Sequence, residues 1–250
     1  MRLVEIWRHP VKSMQGERLT EAALLETGLE GDRAWGLRDA DSGNVLTGRR
    51  EPRLLHATAR FQEAPVVTLP DGRVLRGLSP ENDTAYCEWL GRTVSLVAAA
   101  DVDAHRAEFF ADPTDDDSDT REWTMPAGRF VDAFAILVLT TASLRAGRRE
   151  YPQGAWDARR FRPNLLVDAS DEGWIEDAWC GRVLRVGDVE LEAREKCVRC
   201  TMVTRAQPGL ERDVEIFRTL AKHHDAYAGV WCSVRKAGRV REGDAVSLEL

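Results

Sequence analysis

From Val186 to Ala193 the chain has a tight Gly187-Asp188 turn followed by strict alternation. Val189, Leu191 and Ala193 fall on one face, and Glu190, Glu192 and Arg194 fall on the other. A period of two is the mark of a half-buried strand. This strand runs straight into Lys196-Cys197-Val198-Arg199-Cys200, two thiols three positions apart beside two cations. Cations next to a thiol favour the thiolate, the form that attacks electrophiles or ligates metal. The fold must therefore carry the end of a sheet strand to a place where a sulfur can be used.

Several chemistries compete for the pair. A structural zinc site wants four ligands. Cys180, Cys232, His223 and His224 could supply the remainder, but none of them stands in a second CxxC or an HxxxH. A thioredoxin-like redox pair needs its motif at a helix N-terminus. Here Thr201-Met202-Val203-Thr204 is β-prone, and a Pro208-Gly209 turn follows closely. One cysteine acting alone as ligand or nucleophile is a third option. A buried, inert pair is the fourth, since free cysteine is often buried.

The rest of the chain reads as an α+β fold, mainly β. Arg2–Trp7, Thr20–Leu25, Ala34–Arg38, two runs within Phe61–Leu75 and Arg92–Ala98 are short strands. Asp41-Ser42-Gly43-Asn44 marks a hairpin. Ser79–Leu90 is a helix with Ser79 as N-cap and Pro80 at its first position. Close-spaced strands with turn chemistry predict a small β-barrel or sandwich over the first hundred residues or so. Ala111–Arg121 is acidic and poor in apolar residues, and a subdomain boundary is placed near it. Beyond it, Phe134–Leu139 is a buried strand and Thr140 opens a helix that runs to about Arg149. Asn164–Val167 is a strand and Glu211–His223 a helix. Tyr227–Arg235 and Ala245–Leu250 close the chain as strands, linked by polar Ala237–Asp244.

Charge and composition exclude several classes. The formal net charge of -7 leaves no cation excess for nucleic acid. No segment approaches the roughly 18 apolar residues of a membrane span, and the N-terminus lacks a signal-peptide core. Five cysteines, an odd number, predict free thiols in a cytoplasmic protein. Within this acidic chain, however, Arg33, Arg49, Arg50, Arg53, Arg160 and Arg162 cluster in loops beside strands. If the fold gathers them with the Lys12-Ser13 loop, the product is a cationic pocket suited to a phosphate-bearing cofactor. Hydroxyls at Thr140, Thr141 and Ser143 cap a helix start, where N–H groups also face an anion. No Walker A motif and no GxGxxG is present.

The motifs follow an order that resembles one family. It runs Trp7-x-x-Pro10-Val11-Lys12-Ser13, Gly31-Asp32-Arg33, Arg49-Arg50-Glu51-Pro52-Arg53-Leu54 and Leu139-Thr140-Thr141-Ala142-Ser143-Leu144. It continues with Phe161-Arg162-Pro163-Asn164-Leu165, Cys197-x-Arg199-Cys200, Gly229-Val230-Trp231 and a closing Gly238-x-Val240-x-x-Gly243-Asp244. The chain resembles the MOSC family with its N-terminal β-barrel companion, and within it the amidoxime-reducing components and their bacterial relatives. The resemblance implies an N-terminal barrel-like domain over residues 1–105 packed on a MOSC β-barrel with flanking helices over 120–250.

It also implies a molybdenum cofactor (molybdenum on molybdopterin), with Cys200 as the protein's metal ligand and catalytic residue. The implied cofactor-binding set is Lys12, Ser13, Arg33, Thr140, Thr141, Ser143, Arg162 and Asn164, with Arg50 of the Arg-Arg-Glu-Pro-Arg run counted beside them. The implied activity is two-electron reduction of small N-hydroxylated substrates. Electrons would come from a separate donor protein of ferredoxin, flavodoxin or cytochrome type, because the chain ends at Leu250 without the ferredoxin domain some relatives carry. The alternative is a sulfur carrier that uses Cys200 as a persulfide acceptor. One departure stands out: relatives read Thr-Thr-Val-Asp-Pro where this chain has Val203-Thr204-Arg205-Ala206-Gln207.

Overall fold

The computed structural model of the protein describes residues 1–102, 106–110 and 118–249. The expected acidic loop lies largely outside the described residues. The organising element is an eight-stranded sheet. Its order is Val246–Leu248, Val183–Val186, Val189–Val198, Tyr227–Lys236, Ile136–Thr140, Leu165–Asp168, Arg2–Arg8 and Glu17–Leu19. Every neighbouring pair is antiparallel except Ile136–Thr140 with Leu165–Asp168. That parallel pair needs a crossover, and two helices supply it, α2 (Thr141–Glu150) and α3 (Ala158–Phe161). Helix α1 (Pro80–Leu90) precedes them and α4 (Val214–His224) follows.

The expected mainly-β architecture is borne out, with an N-terminal barrel joined to a second β domain. The two halves exchange strands. Arg2–Arg8, from the N-terminal end, pairs with Leu165–Asp168 in the large sheet. Gly238–Arg241, inside the stretch read as a polar linker, pairs in return with Glu21–Leu25. A short polar run gave no sign of pairing because Val240 is its only apolar residue, and that side chain is fully buried. Thr201–Thr204 also departs from its β-prone composition and forms one 3₁₀ turn.

Separate cores sit on either side of this exchange. One lies on the inner face of the large sheet, around Ile6, Ile136, Leu191 and Val230. A second fills the N-terminal barrel, around Leu37, Leu54, Tyr86 and Leu96. A third lies under α4, where Ile216, Phe217 and Leu220 pack on Trp156 and Phe161. The seam between the halves is where their loops meet. No helix among the described residues is long and apolar enough to cross a membrane. The described cysteines are all free.

Candidate cofactor site

A cavity of about 110 Å³ opens in that seam. Lys12, Ser13, Arg33 and Thr47–Arg49 come from the N-terminal half. Val131, Asp132, Arg160–Arg162, Asn164 and Cys197–Cys200 come from the other half. Its wall holds Lys12, Arg33, Arg49, Arg160, Arg162 and Arg199 against a single carboxylate, Asp132. In a chain of net charge -7 this is a concentrated positive potential.

Backbone strain converges on the same place. Ser13, Arg33 and Arg162 each have positive φ, at 67°, 49° and 54°. Non-glycine residues pay about 1–3 kcal/mol to sit there, and such positions gather at functional sites. The conformation at Ser13 aims its hydroxyl at the backbone N–H of Gly48, which donates to Oγ at 2.8 Å. Arg33 is held by buried Asp32, by Asn164 Oδ1 at 3.3 Å and by the Arg162 carbonyl at 3.1 Å. Asn164 ties strands together as well: its Oδ1 accepts from the Leu137 N–H and its Nδ2 donates to the Trp7 carbonyl.

The sulfurs differ. Cys197 is buried, and burial pushes its thiol up, opposed by Arg199, whose Nη1 donates to Sγ at 2.8 Å. Cys200 is half-buried, two residues beyond the strand end at Val198, and Arg49 Nε donates to its Sγ at 3.2 Å. Arg49 Nη2 also reaches Asp132 at 2.7 Å, and Lys12 Nζ reaches the other oxygen of Asp132 at 2.8 Å. Burial and the neighbouring guanidinium of Arg162 push His9 well below its usual range, so it carries no charge at neutral pH.

Partial burial opposes the charge on Asp132, but Lys12 and Arg49 outweigh it and hold the carboxyl well below the usual range. A carboxylate with a depressed folded pKa contributes stability above its unfolded pKa of about 4 and loses it as pH falls further. Asp132→Asn is expected to cost about 1–3 kcal/mol near neutral pH, a value discounted because the side chain is 38% exposed. The gap between variant and wild type should close below about pH 4 in chemical denaturation. A gap that is constant with pH would contradict this role.

Four of the expected residues are not brought to the cavity. Thr140 is at the far end of its strand, three residues beyond Leu137, which lines the cavity. That is about 10 Å at the rise of a strand. Its hydroxyl caps α2 by accepting from the Ser143 N–H, and it donates to Glu176 at 2.8 Å. Thr141 donates to Asp168, and Ser143 is buried within α2. Capping accounts for the Thr140 hydroxyl alone. Arg50 points outward to Glu108 at 3.4 Å, with its side chain 41% exposed. Thr47, Gly48 and Arg49 line the cavity, and Arg50, the next residue of the turn, does not. Lys12, Ser13, Arg33, Arg162, Asn164 and Cys200 do line the cavity. Asp132 and Trp231 line it without having been expected, and the composition around Asp132 carries no signal for it.

Arg160 has another job. It is 2% exposed and donates to the carbonyls of Ala155, Val203, Arg205 and Glu211. It staples the loop that follows Cys200.

The donor set can be tested for an anionic, metal-bearing group. Arg162 Nη2 and Arg199 Nε are buried with no hydrogen-bond partner. Burial, then Arg33, lowers the Arg162 guanidinium to about 9. A guanidinium does not give up its proton at neutral pH, so this depression measures an uncompensated charge. An anion with acceptor oxygens would satisfy both orphaned donors and offset that charge. Among the described residues no group of three or more His, Cys, Asp or Glu side chains could hold a metal, which removes the four-ligand zinc reading there. One half-buried cysteine sulfur beside an anion cradle fits a metal that brings most of its own ligands.

These features belong to a known class. Residues 1–113 match the MOSC N-terminal beta barrel domain and residues 125–247 match the MOSC domain. The chain belongs to the MOSC family. It is similar to mitochondrial amidoxime reducing component 2 of Macaca fascicularis, 25% identical over 98% of this chain and 82% of that protein. It is 27% identical to mitochondrial amidoxime-reducing component 1 of Homo sapiens, over 81% of this chain and 65% of that one. Molybdenum cofactor sulfurase of Oryza sativa subsp. japonica is 26% identical over 96% of this chain, which spans 32% of that protein. Among solved structures, the YuaD protein of Bacillus subtilis shares the fold, with a TM-score of 0.51 at 11% identity over 99% of this chain and 94% of that one.

Proposed function

We propose that this protein binds a molybdenum cofactor and works as an oxidoreductase on N-hydroxylated compounds, with electrons from a separate donor protein. The observation that carries the reading is the position of Cys200, half-buried at the edge of a cavity with six cations and one carboxylate, with Arg49 donating to its sulfur. The amidoxime-reducing relatives support the substrate class. When bound, the cofactor supplies two-electron, oxygen-atom chemistry. The chain's own residues do the rest. Cys200 provides a soft thiolate, the ligand type suited to such a metal. Arg49 stabilises negative charge on that sulfur and orients it through its second bond to Asp132. Arg33, Arg162, Arg199 and Lys12 would hold its anionic, phosphate-bearing part. Cys197, buried and kept protonated, does not compete as a ligand. The test is the molybdenum and pterin content of protein made in a cofactor-competent host. Stoichiometric metal and pterin support the reading, and protein that never carries either refutes it.

A second reading is a sulfur carrier with Cys200 as persulfide acceptor, favoured by the similarity to the sulfurase. It predicts cyanide-releasable sulfur on Cys200 in protein that lacks molybdenum.

A further inference from the structure

The cationic chamber is not the only space at Cys200. A second, open cavity of about 420 Å³ lies beside it and shares Cys200 and Trp231 with it. Arg49, Asp132, Val198 and Arg199 also line both, and Trp123, Ala133, Glu195 and Thr201 line the second alone. Its size is that of a small-molecule site. Trp123 and Val198 are each 51% exposed, so two of the protein's exposed large apolar side chains line one cavity. Grouping of this kind points to a ligand rather than to chance exposure.

The charges decide which ligand. Arg49 is engaged by Cys200 and Asp132, and Asp132 by Lys12 as well. Arg199 is engaged by Cys197 and the Phe161 carbonyl through its two Nη atoms, and its unpartnered Nε is the donor assigned above to the cofactor. Glu195 is the remaining charged residue of the wall, and its carboxylate makes no hydrogen bond or ion pair with any described residue. Its position depends on a backbone irregularity. Ala193 and Cys197 both point inward, and simple alternation would send residue 195 inward with them. The register instead slips between Ala193 and Glu195, and Glu195 comes to lie opposite Trp231. Opposed residues of an antiparallel pair share a face, and a β-bulge is a common device for re-aiming a side chain beside a site. The result is a free carboxylate beside an indole, in a cavity that a second indole, Trp123, also lines. Indole faces attract cations and stack on flat rings.

We propose that this vestibule holds the non-reacting part of the substrate and selects flat aromatic cations, with the ring against Trp231 and Trp123 and the positive group toward Glu195. The word substrate rests on the reading of Cys200 as the reactive centre, whereas the ligand class does not. Three probes of one shape and different charge test it: benzamidinium, benzamide and benzoate. Each is titrated into the full chain isolated from a cofactor-competent host, with molybdenum measured on the same sample. Binding is followed by the indole N–H signals of ¹⁵N-tryptophan-labelled protein, assigned with Trp123→Phe and Trp231→Phe. Benzamidinium should shift the Trp123 and Trp231 signals and bind at least about threefold more tightly than benzamide or benzoate. Glu195→Gln, at an exposed position, should weaken benzamidinium by about three- to fivefold and change benzamide by less than about twofold. The proposal is overturned if benzoate binds as well as benzamidinium, if Glu195→Gln leaves benzamidinium unchanged, or if the shifts spare both tryptophans. Charge selection in protein that never holds molybdenum would refute the cofactor reading alone. Full molybdenum content without charge selection would refute the vestibule alone.

Discussion

Cys200→Ala protein from a cofactor-competent host is expected to purify without molybdenum, while wild type carries it stoichiometrically and Cys197→Ala keeps most of it. The argument is one of supply. No group of three or more ligating side chains exists among the described residues, so these residues would supply a metal with at most two such ligands at one place. Cys200 is the half-buried thiol that borders both cavities, whereas Cys197 is 1% exposed and held by Arg199. Removing one partly exposed sulfur should cost the fold no more than about 1 kcal/mol. Loss of metal would therefore not be a loss of folding, and a thermal melt on the same sample checks that. Elemental analysis with pterin fluorescence is the readout. Equal molybdenum in Cys200→Ala and wild type would remove Cys200 from the metal centre.

Arg160→Met is expected to be the most destabilising single change near the site, by about 3–5 kcal/mol. For a chain of this size that lowers the melting temperature by roughly 10 °C. The side chain is 2% exposed, and its guanidinium satisfies four backbone carbonyls. Methionine fills the volume but leaves those acceptors buried without donors. Three of them, on Val203, Arg205 and Glu211, belong to the segment after Cys200. The variant should therefore show faster amide exchange there than elsewhere, and reduced cofactor content. A variant as stable as wild type would show that the four bonds contribute little.

Much of the fold was legible because its signals are local. Alternation over Val189–Ala193 and the apolar run before Thr140 are properties of neighbouring residues. So are the Ser79-Pro80 start of α1 and the amphipathic face of α4. The strand Gly238–Arg241 was not legible, because its partner Glu21–Leu25 is more than 200 residues away in sequence and its own side chains are mostly charged. The site divides in the same way. Lys12, Ser13, Arg33, Arg162 and Asn164 were legible as residue types in loops beside strands, and they line the cavity. Arg50, Thr140, Thr141 and Ser143 had the same chemistry but face elsewhere.

By itself, the amino-acid order determined the strand that ends in two thiols, the cationic loops and the mainly-β class, because period, turn chemistry and charge are written in adjacent residues. Only the tertiary structure decided that Arg49 and not Arg50 meets Cys200, that Asp132 bridges Arg49 to Lys12, and that one extra residue in a strand turns Glu195 toward Trp231. Those outcomes depend on which side of a turn a guanidinium leaves and on where register slips. Both are settled by packing between segments far apart in the chain.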